Sequence, residues 1–479
     1  MKSRFPVLLV ALVPCLALVA SDLAFTVGFG RTDITPPFGI DIPGYLIPRH
    51  AKEILDPLEV NALAFSDGGT PALVLSLDTA IMGPESVESC RTAIERRTGV
   101  KPSRVHLCAT HIHSGGGLAE WSLSGDRTGL VRLYHAFVAV RCADAAAAAI
   151  ADLKPARLSC ARTEAKRISF VRSYYMKDGS VATNPGVNNP DIVKCVGEPD
   201  EEVQLLRIDR EGGKPIAVIN FQTHPDVVGG EGITADWPGF TRRFFEGAFG
   251  GEVLSVLLNG AQGDVNHVCV DPAPRELNGL KKDFDDVWRG YDHAKHMGAT
   301  LAGAVLSVWY KCDPLEAGPV RTAQKIVHVA PNKATPEELV EAKRILKLHA
   351  EGRDAELPWK GMGLTTALCG ANRMVGLENR TEDFELPLSA IAIGASVVFD
   401  GFPGEPFCRV GQEIKRRSPF KLTIPTCLTN GGLGYFPYSD DFKRGGYESA
   451  ASPFAPSVVD VLIDGQLSLL SGLAVRPAP

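Results

Sequence analysis

Two apolar segments of this chain each end in a Thr-His pair that is followed by glycines. Residues 104–110 lead into His111 and His113, and residues 216–223 lead into His224. Residues two apart in an extended segment share a face, so we expect His111 and His113 to point the same way. Imidazole is a common ligand for zinc. The pattern therefore predicts a metal site at the ends of two strands, with a purely structural histidine pair as the alternative.

The composition is that of an ordinary globular protein. The 479 residues are 45% hydrophobic and 22% charged, which provides apolar material for a large core. A net charge of −6, with no basic tract in the mature part, gives no electrostatic footprint for nucleic acid or an anionic membrane. We therefore expect a small-molecule or lipid partner and no nucleic acid.

The N-terminus carries a pattern typical of export. Lys2 and Arg4 precede an apolar stretch that ends near Ala20. This pattern predicts a secretory signal peptide at residues 1–24, and residues 25–479 as one catalytic domain of a secreted or periplasmic protein. A membrane anchor is the alternative. The stretch is shorter than the roughly 20 apolar residues of a spanning helix, so we expect no transmembrane segment in the mature chain.

Eleven cysteines are scattered along the chain without a C-x-x-C pair, which excludes a thiolate zinc knuckle. Export would permit disulfides. Cys108 and Cys427, however, lie in apolar runs, where a buried free thiol is expected.

Strand-like and helix-like stretches alternate along the chain. Residues 84–98 predict a helix ended by Gly99, residues 130–151 an alanine-rich helix, and another helix begins after Asp236. A fourth helix starts at the capping box of Thr335. Apolar runs typical of strands lie at residues 72–77, 253–258, 388–393 and 397–399. Such alternation predicts an α/β fold of mixed β-sheets packed together and covered by helices, in a single large domain.

Residues 352–371 interrupt this alternation. The segment is rich in glycine and contains Pro358, Trp359 and Lys360. Glycine and proline break regular elements, so we expect an irregular loop or a lid here.

Several other strand-like runs end in residues that carry chemistry. Ligands gather at strand ends in folds of sheets and helices. Arg172 follows one such run, a loop with Asp264 and Asn266 follows another, and Glu405 and Tyr435 follow two more. Each has a plain structural alternative, because glycine turns are common and a carboxylate beside one is usually solvated.

Three further histidines suggest additional sites. His293 and His296 are three apart on a predicted helix and can bind metal together, but an exposed helical face is the more common explanation. His267 stands near Asp264 in a loop that we expect to border the pocket.

Three motifs give the chain a family resemblance. A-T-H-I-H-S-G at residues 109–115 is similar to A-T-H-T-H-S-G of the neutral, non-lysosomal ceramidases, and P-G-E at residues 403–405 resembles another segment of that family. G-R-T-D-I-T-P-P at residues 30–37 opens the resemblance, which extends to Glu448 and covers nearly all of the mature chain. These ceramidases are zinc-dependent amidases that split ceramide into sphingosine and a fatty acid. The resemblance implies their catalytic domain and a zinc-dependent amidase activity.

The resemblance also implies roles for individual residues. One zinc ion per chain would be held by His111, His224, Glu405 and Tyr435. The residues facing the substrate amide would be His113, Arg172 and Tyr447. Asp236 would be an acid near the metal, and Asp264 and Asn266 would lie in the family's G-D-x-S-P-N loop beside the scissile amide.

The implied chemistry is amide hydrolysis by metal-activated water. Tyr447, His113 or Arg172 would donate to the oxyanion, and His113 would protonate the leaving nitrogen. Asn266 stands where the family has its serine, which rules out a mechanism that needs the serine, although the Asn266 amide can still donate a hydrogen bond. The family's C-terminal immunoglobulin-like domain is expected to be absent, because the chain ends soon after Glu448.

Two alternatives stay open on the sequence. The same set of ligands can serve a metal-dependent hydrolase of an ester, a phosphoester or a glycan-linked amide, since the pocket selects the substrate. A non-catalytic relative that binds lipid or carbohydrate can also keep the fold.

Overall fold

The computed structural model describes residues 25–119, 129–277 and 279–474. The predicted signal peptide, residues 1–24, lies outside the described residues.

The described residues form ten α-helices and 24 strands, many of them short. The helices are α1 (Pro84–Thr98), α2 (Gly129–Ala151), α3 (Asp236–Ala248), α4 (Tyr291–Val308), α5 (Pro336–Ala350), α6 (Gly361–Gly376), α7 (Cys408–Arg417), α8 (Ser439–Arg444), α9 (Tyr447–Ala451) and α10 (Val458–Leu473). The strands are β1 (Thr26–Asp33), β2 (Glu53–Ile54), β3 (Glu59–Ser66), β4 (Ala72–Leu77), β5 (Val105–Ala109), β6 (Lys154–Glu164), β7 (Phe170–Val171), β8 (Ser173–Met176), β9 (Val181–Thr183), β10 (Ile192–Cys195), β11 (Glu202–Arg210), β12 (Ile216–Phe221), β13 (Gly232–Ile233), β14 (Leu254–Asn259), β15 (Val265–Asn266), β16 (Lys281–Lys282), β17 (Trp288–Arg289), β18 (Asp313–Leu315), β19 (Val320–Val329), β20 (Phe384–Ile393), β21 (Val397–Gly401), β22 (Glu405–Pro406), β23 (Leu422–Thr426) and β24 (Tyr435–Phe436).

Two mixed sheets form the body of the fold. The larger has the strand order β14-β12-β11-β6-β1-β3-β4-β5, with β18 paired to β6. Its strands are antiparallel except for the parallel pairs at its two ends, β12 with β14 and β4 with β5. The smaller sheet has the order β19-β20-β21-β23, in which β21 and β23 are parallel. Parallel neighbours end at the same edge, so the loops that follow them lie close together.

The two sheets pack face to face. Phe65 of the larger sheet lies against Phe399 of the smaller, with ring centroids 5.4 Å apart, in one shared apolar core. Each fully buried side chain of this kind contributes roughly 1.5–3 kcal/mol. Helices α1 and α2 cover one half of the outer face of the larger sheet and α3 and α4 the other, while α7 and α10 cover the smaller sheet. The predicted α/β fold of packed mixed sheets covered by helices is confirmed.

The two edges of the larger sheet approach each other. Ser76 of β4 donates through Oγ to the carbonyl of Leu257 in β14 at 2.6 Å. The regular twist of sheets brings such edges together when a sheet curls. The carboxyl ends of β5 and β14 therefore lie side by side, beside those of β21 and β23.

Local sequence signals define several helix ends. Pro84 opens α1, and Gly99, at φ 77°, ends it in the left-handed region that favours glycine. At the start of α5, the Thr335 hydroxyl accepts from the Glu338 N–H and the Glu338 carboxylate accepts from the Thr335 N–H. Helix α1 matches its prediction residue for residue, and α2 begins one residue earlier than predicted.

Among the described residues, α2 alone is long and apolar enough to cross a membrane by length and composition. One side of α2 packs into the core against α1, β1 and β3. This is the position of a core helix.

Residues 352–371 do not form the irregular loop that their glycines predict. They contain a 3-10 turn, Asp354–Glu356, and the larger part of α6. Leu364, Leu368 and Ala371 recur at helical spacing and pack into a small core with α5. Burial of this apolar face outweighs the cost of glycine in a helix, about 1 kcal/mol for each glycine.

Candidate metal centre

His111 lies two residues beyond the end of β5, in a backbone conformation that is unusual for a residue with a side chain. Its φ is 73°, in the left-handed region. The backbone at His111 is therefore not extended. The prediction that His111 and His113 lie on one face of an extended strand is wrong, because it assumed a strand at this position. The His111 Nδ1 donates to the carbonyl of Ala80 at 2.7 Å, which fixes the ring and leaves Nε2 free.

His224 lies beyond the end of β12 and is fully buried. Its Nδ1 faces the carbonyls of Gln262 at 2.8 Å, in the loop after β14, and of Val265 at 3.0 Å, at the start of β15. As with His111, the protonated Nδ1 leaves the Nε2 lone pair available.

Asn259, the last residue of β14, ties the two histidine segments together. Its Nδ2 donates to the carbonyl of Thr110 at 3.0 Å and to that of Thr223 at 3.3 Å. These are the residues that precede His111 and His224. The Asn259 side-chain amide thus fixes the distance between the two Thr-His pairs.

Glu405, in the short strand β22 that follows β21 of the smaller sheet, brings a carboxylate to both imidazoles. Its Oε2 lies 3.1 Å from His111 Nε2 and 3.2 Å from His224 Nε2, and it accepts from Gln262 Nε2 at 3.2 Å. Burial raises the pKa of Glu405, but the two imidazoles outweigh burial and hold that pKa well below its usual range. Glu405 is therefore ionised.

The donor atoms of this cluster fit one divalent cation. Two Nε2 lone pairs and a carboxylate oxygen converge, and three such acceptors repel one another unless a proton or a cation lies among them. Donor atoms around a tetrahedral zinc ion, each at about 2.1 Å from it, are about 3.4 Å apart, close to the 3.1 and 3.2 Å separations here. The ring nitrogens of His111, His113 and His224 also lie within 4.8 Å of one another. The buried histidine cluster can hold a metal ion.

Tyr435 completes the predicted ligand set at a slightly longer distance. Its hydroxyl lies 3.4 Å from His224 Nε2 and accepts from Arg172 Nη2 at 3.4 Å. Burial raises the pKa of Tyr435 well above its usual range, so the phenol keeps its proton unless a cation polarises it. β24 pairs with β22, which places Tyr435 beside Glu405.

His113 differs from the other two histidines of the cluster. Its Nε2 lies 3.2 Å from His111 Nε2, but its buried Nδ1 has no hydrogen-bond partner among the described residues. Burial, and then the neighbouring His111, lower the pKa of His113 well below its usual range. The neutral ring borders the cleft described next.

A cleft of about 200 Å³ opens beside the cluster. Arg172 borders it, and this guanidinium donates to Glu448 at 2.6 Å and to the carbonyl of Gly263 at 2.9 Å. Tyr447 lies edge-on to Tyr435 at 5.6 Å between ring centroids. The predicted residues that border the cleft are His113, Arg172, Tyr435 and Tyr447.

Asp236 lies behind the cluster. It opens α3 at φ 47°, and its carboxylate accepts from the backbone N–H groups of Val227 and Val228 at 3.0 and 3.1 Å. Burial raises the pKa of Asp236 to about 7. The structure thus places it as a support for the turn after His224.

Asp264 and Asn266 are not among the residues that border the cleft. The Asp264 carboxylate accepts from the Cys408 N–H at 2.7 Å, at the start of α7, and burial raises its pKa to about 7. Asn266 donates to the Asn184 side chain at 3.2 Å, and Asn184, not Asn266, borders the cleft.

Sequence reasoning missed Asp226 as part of this site. The buried carboxylate borders the cleft together with His113 and lies 3.2 Å from the Nδ1 of His267 and 3.7 Å from Arg289. Burial raises the pKa of Asp226, yet His267 and Arg289 hold it well below its usual range. The signal was available, since Asp226 follows His224 by two residues.

The remaining predicted histidines surround a different cavity. His267, His293 and His296 line a cavity of about 580 Å³. Both ring nitrogens of His267 face protein groups, the Asp226 carboxylate and the Trp288 carbonyl, so neither nitrogen is directed at this cavity as an open metal ligand. Cys108 and Cys427 are buried free thiols, as predicted.

A mixed α/β fold that brings a histidine-rich centre to its strand ends defines a ceramidase-like architecture. The neutral ceramidase from Pseudomonas aeruginosa has this fold, with a TM-score of 0.69 and 16% identity over 96% of this chain and 76% of that one. A ceramidase complexed with C2 is similar, with a TM-score of 0.67 and 17% identity over 96% and 77%. No protein-family model and no curated protein matched the sequence. The resemblance inferred from the motifs is confirmed as a shared fold.

Proposed function

We propose that this chain is a zinc-dependent hydrolase of N-acyl amides, ceramide or a related N-acyl lipid among them. The observation that carries the proposal is the convergence of Glu405 on His111 and His224 at the edge of a cleft bordered by hydrogen-bond donors. The ceramidase-like fold supports the same activity.

His111, His224, Glu405 and Tyr435 would hold one zinc ion. When bound, zinc lowers the pKa of water toward about 7 and so makes hydroxide available near neutral pH. An attacked amide carbonyl develops negative charge on its oxygen, which needs donors aimed at it. Tyr447 and Arg172 border the cleft and can donate hydrogen bonds. Burial raises the pKa of Tyr447, so its phenol keeps its proton, and the raised pKa of Arg172 keeps the guanidinium charged.

His113 is the proposed proton carrier to the leaving nitrogen. The residue borders the cleft, and its buried Nδ1 has no hydrogen-bond partner among the described residues. An amine is a poor leaving group until it is protonated, so a positioned imidazole contributes typically 10²–10⁴-fold.

Metal content and turnover of matched variants test the proposal. Purified protein should contain one zinc per chain by mass spectrometry of metals, and chelation should reversibly stop release of fatty acid from a labelled N-acyl amine. His111→Ala and His224→Ala should lose the metal while circular dichroism shows a folded chain. His113→Ala should keep the metal and hydrolyse at least about 100-fold more slowly.

Two outcomes count against the proposal. Zinc retained at full occupancy in His224→Ala would show that the assigned set of zinc ligands is wrong. A wild-type protein that cleaves an ester of the same acyl chain but not the amide would assign it to another class of hydrolase.

Export from the cytoplasm is a separate part of the proposal. It is supported by the charged and apolar pattern of residues 1–24. The mass of the mature protein purified from its host should correspond to a chain that starts between Ala20 and Ala24; a full-length mass would contradict export by cleavage.

A further inference from the structure

A second cavity lies on the other side of α6 from the catalytic cleft. Met362, Thr365 and Cys369 of α6 border the cleft, whereas Thr366 and Gly370 border a cavity of about 640 Å³. We call this the α6 cavity. Its other walls come from α5, β9 and α9. The volume is within the range of small-molecule pockets, roughly 300–1,000 Å³.

The walls of the α6 cavity are apolar. Ala342 and Ile345 of α5 face Ala367, Ala371 and Met374 of α6. Larger side chains at the alanine positions would fill the space. An apolar chain that entered would be removed from water, and the gain grows with the apolar area covered.

The rim of the α6 cavity is acidic. Asp178, Glu338 and Glu341 contribute to it, and the described residues that line the cavity include no lysine or arginine. Glu341 is paired with Arg344, which is outside the lining. Trp359, 37% exposed, also borders the cavity, and an indole face attracts a cation. The negative charge of the rim attracts an ammonium group and repels a carboxylate.

The α6 cavity is connected to the reacting groups through Thr183. Its hydroxyl accepts from the Tyr447 N–H at 3.1 Å and donates to Glu448 at 3.5 Å, and Glu448 holds Arg172. Thr183 itself lines the α6 cavity. A ligand there would contact Thr183, which is hydrogen-bonded to Tyr447 and Glu448.

We propose that the α6 cavity binds a long-chain primary amine in its ammonium form. The hydrocarbon chain lies along the walls of α5 and α6, and the ammonium lies at the acidic rim beside Trp359. Hydrolysis of an N-acylated long-chain amine releases such a molecule. That link rests on the proposed function, whereas binding of the amine does not.

Calorimetric titration of the full chain with dodecylamine, dodecanol and dodecanoate below their micelle concentrations tests the site without any turnover. Dodecylamine should bind at least tenfold more tightly than the other two. Ala367→Phe should weaken dodecylamine binding at least tenfold. Ala136→Phe, an equal substitution at an exposed position of α2, should leave it unchanged. The double variant Asp178→Asn/Glu341→Gln should bring dodecylamine to the level of dodecanol.

A second readout covers the case in which Ala367→Phe fails to fold. Chain-brominated dodecylamine should quench part of the tryptophan fluorescence, and Trp359→Phe should remove that quenched part. Equal affinities for amine and carboxylate, quenching that survives Trp359→Phe, or unchanged binding in folded Ala367→Phe would each overturn the site. Amine binding without any amide hydrolysis would support the site and reject the proposed function, so the two failures are distinguishable.

Discussion

Arg172 and Glu448 form an ion pair that is almost wholly buried, with Nε 2.6 Å from Oε1. The pair connects the end of β7 to the start of α9. It fixes the guanidinium so that Nη2 lies 2.9 Å from the Gly263 carbonyl and 3.4 Å from the Tyr435 hydroxyl. The position of Arg172 in the cleft therefore depends on a carboxylate 276 residues away in sequence.

Glu448→Ala should destabilise the protein by about 3–5 kcal/mol, because it leaves the Arg172 charge buried without its partner. Urea denaturation followed by circular dichroism measures the loss. Glu356→Ala, which breaks the exposed pair with Arg353, is the control and should leave the midpoint unchanged. Equal midpoints for Glu448→Ala and wild type would contradict the role given to the pair.

Gly44 lies against His113 in the cleft. Its φ is 108°, and a Cβ there would lie 2.5 Å from the His113 Cγ. Gly44→Ala should cost about 1–3 kcal/mol of stability and displace the imidazole, which lowers turnover while metal is retained. Gly303→Ala in α4, where a Cβ has nothing within 4 Å, should instead gain roughly 0.5–1 kcal/mol. Thermal melts and hydrolysis rates of both variants provide the comparison.

Asp226→Asn should slow hydrolysis by about 10–100-fold without loss of metal, the typical effect of removing a group that supports a metal site. Burial and the neighbouring His111 lower the pKa of His113, whereas the negative charge of Asp226 raises it. Its loss makes that imidazole less basic. Asp283→Asn is the matched control, since Asp283 also pairs with Arg289 but does not line the cleft. Loss of zinc from Asp226→Asn would show a structural role instead.

Asp400 is fully buried, with the Gln466 side chain beside its carboxyl group. Burial raises its pKa well above the usual range, so the folded state keeps a proton that the unfolded chain releases above about pH 4. The stability from this group is complete below that pH and is lost as the pH rises to the folded pKa, by up to about 1.4 kcal/mol per pH unit.

Asp400→Asn should remove this part of the pH dependence. Urea midpoints of the variant should change less than those of wild type between pH 5 and pH 8, and the variant should be the more stable of the two at the higher pH. Asp383→Asn, at an exposed position, should follow the wild-type profile. Parallel profiles for Asp400→Asn and wild type would show that Asp400 does not bind the extra proton.

The sequence predicted those helices whose ends are marked by strong local signals. Pro84 and Gly99 bound α1, and Thr335 caps α5, because these residues act on the backbone next to them. Residues 352–371 were predicted wrongly, since the apolar contacts that make α6 a helix come from α5 and are not local.

The candidate site could be predicted only in part for a similar reason. His111, His224 and Glu405 follow strands, and the strand-end rule brings them together. The backbone at His111 could not be predicted, because its φ of 73° is held by long-range contacts with Thr79 and Ala80. The position of Asp226 two residues after His224 was a usable signal, whereas its ion pairs with His267 and Arg289 could not be read from the sequence because these partners are distant along the chain.

The Asn259 amide fixes the separation of the two Thr-His pairs through its hydrogen bonds to Thr110 and Thr223, and Asn259 is not among the residues that border the cleft. Apart from His113 and Asp226, much of the border of the cleft comes from other segments, the loop before β2, α6 and α9 among them. Replacing those segments would alter which molecule enters while the spacing of the imidazoles stays the same. A fold built this way can change its substrate by loop variation without having to reinvent its reactive centre.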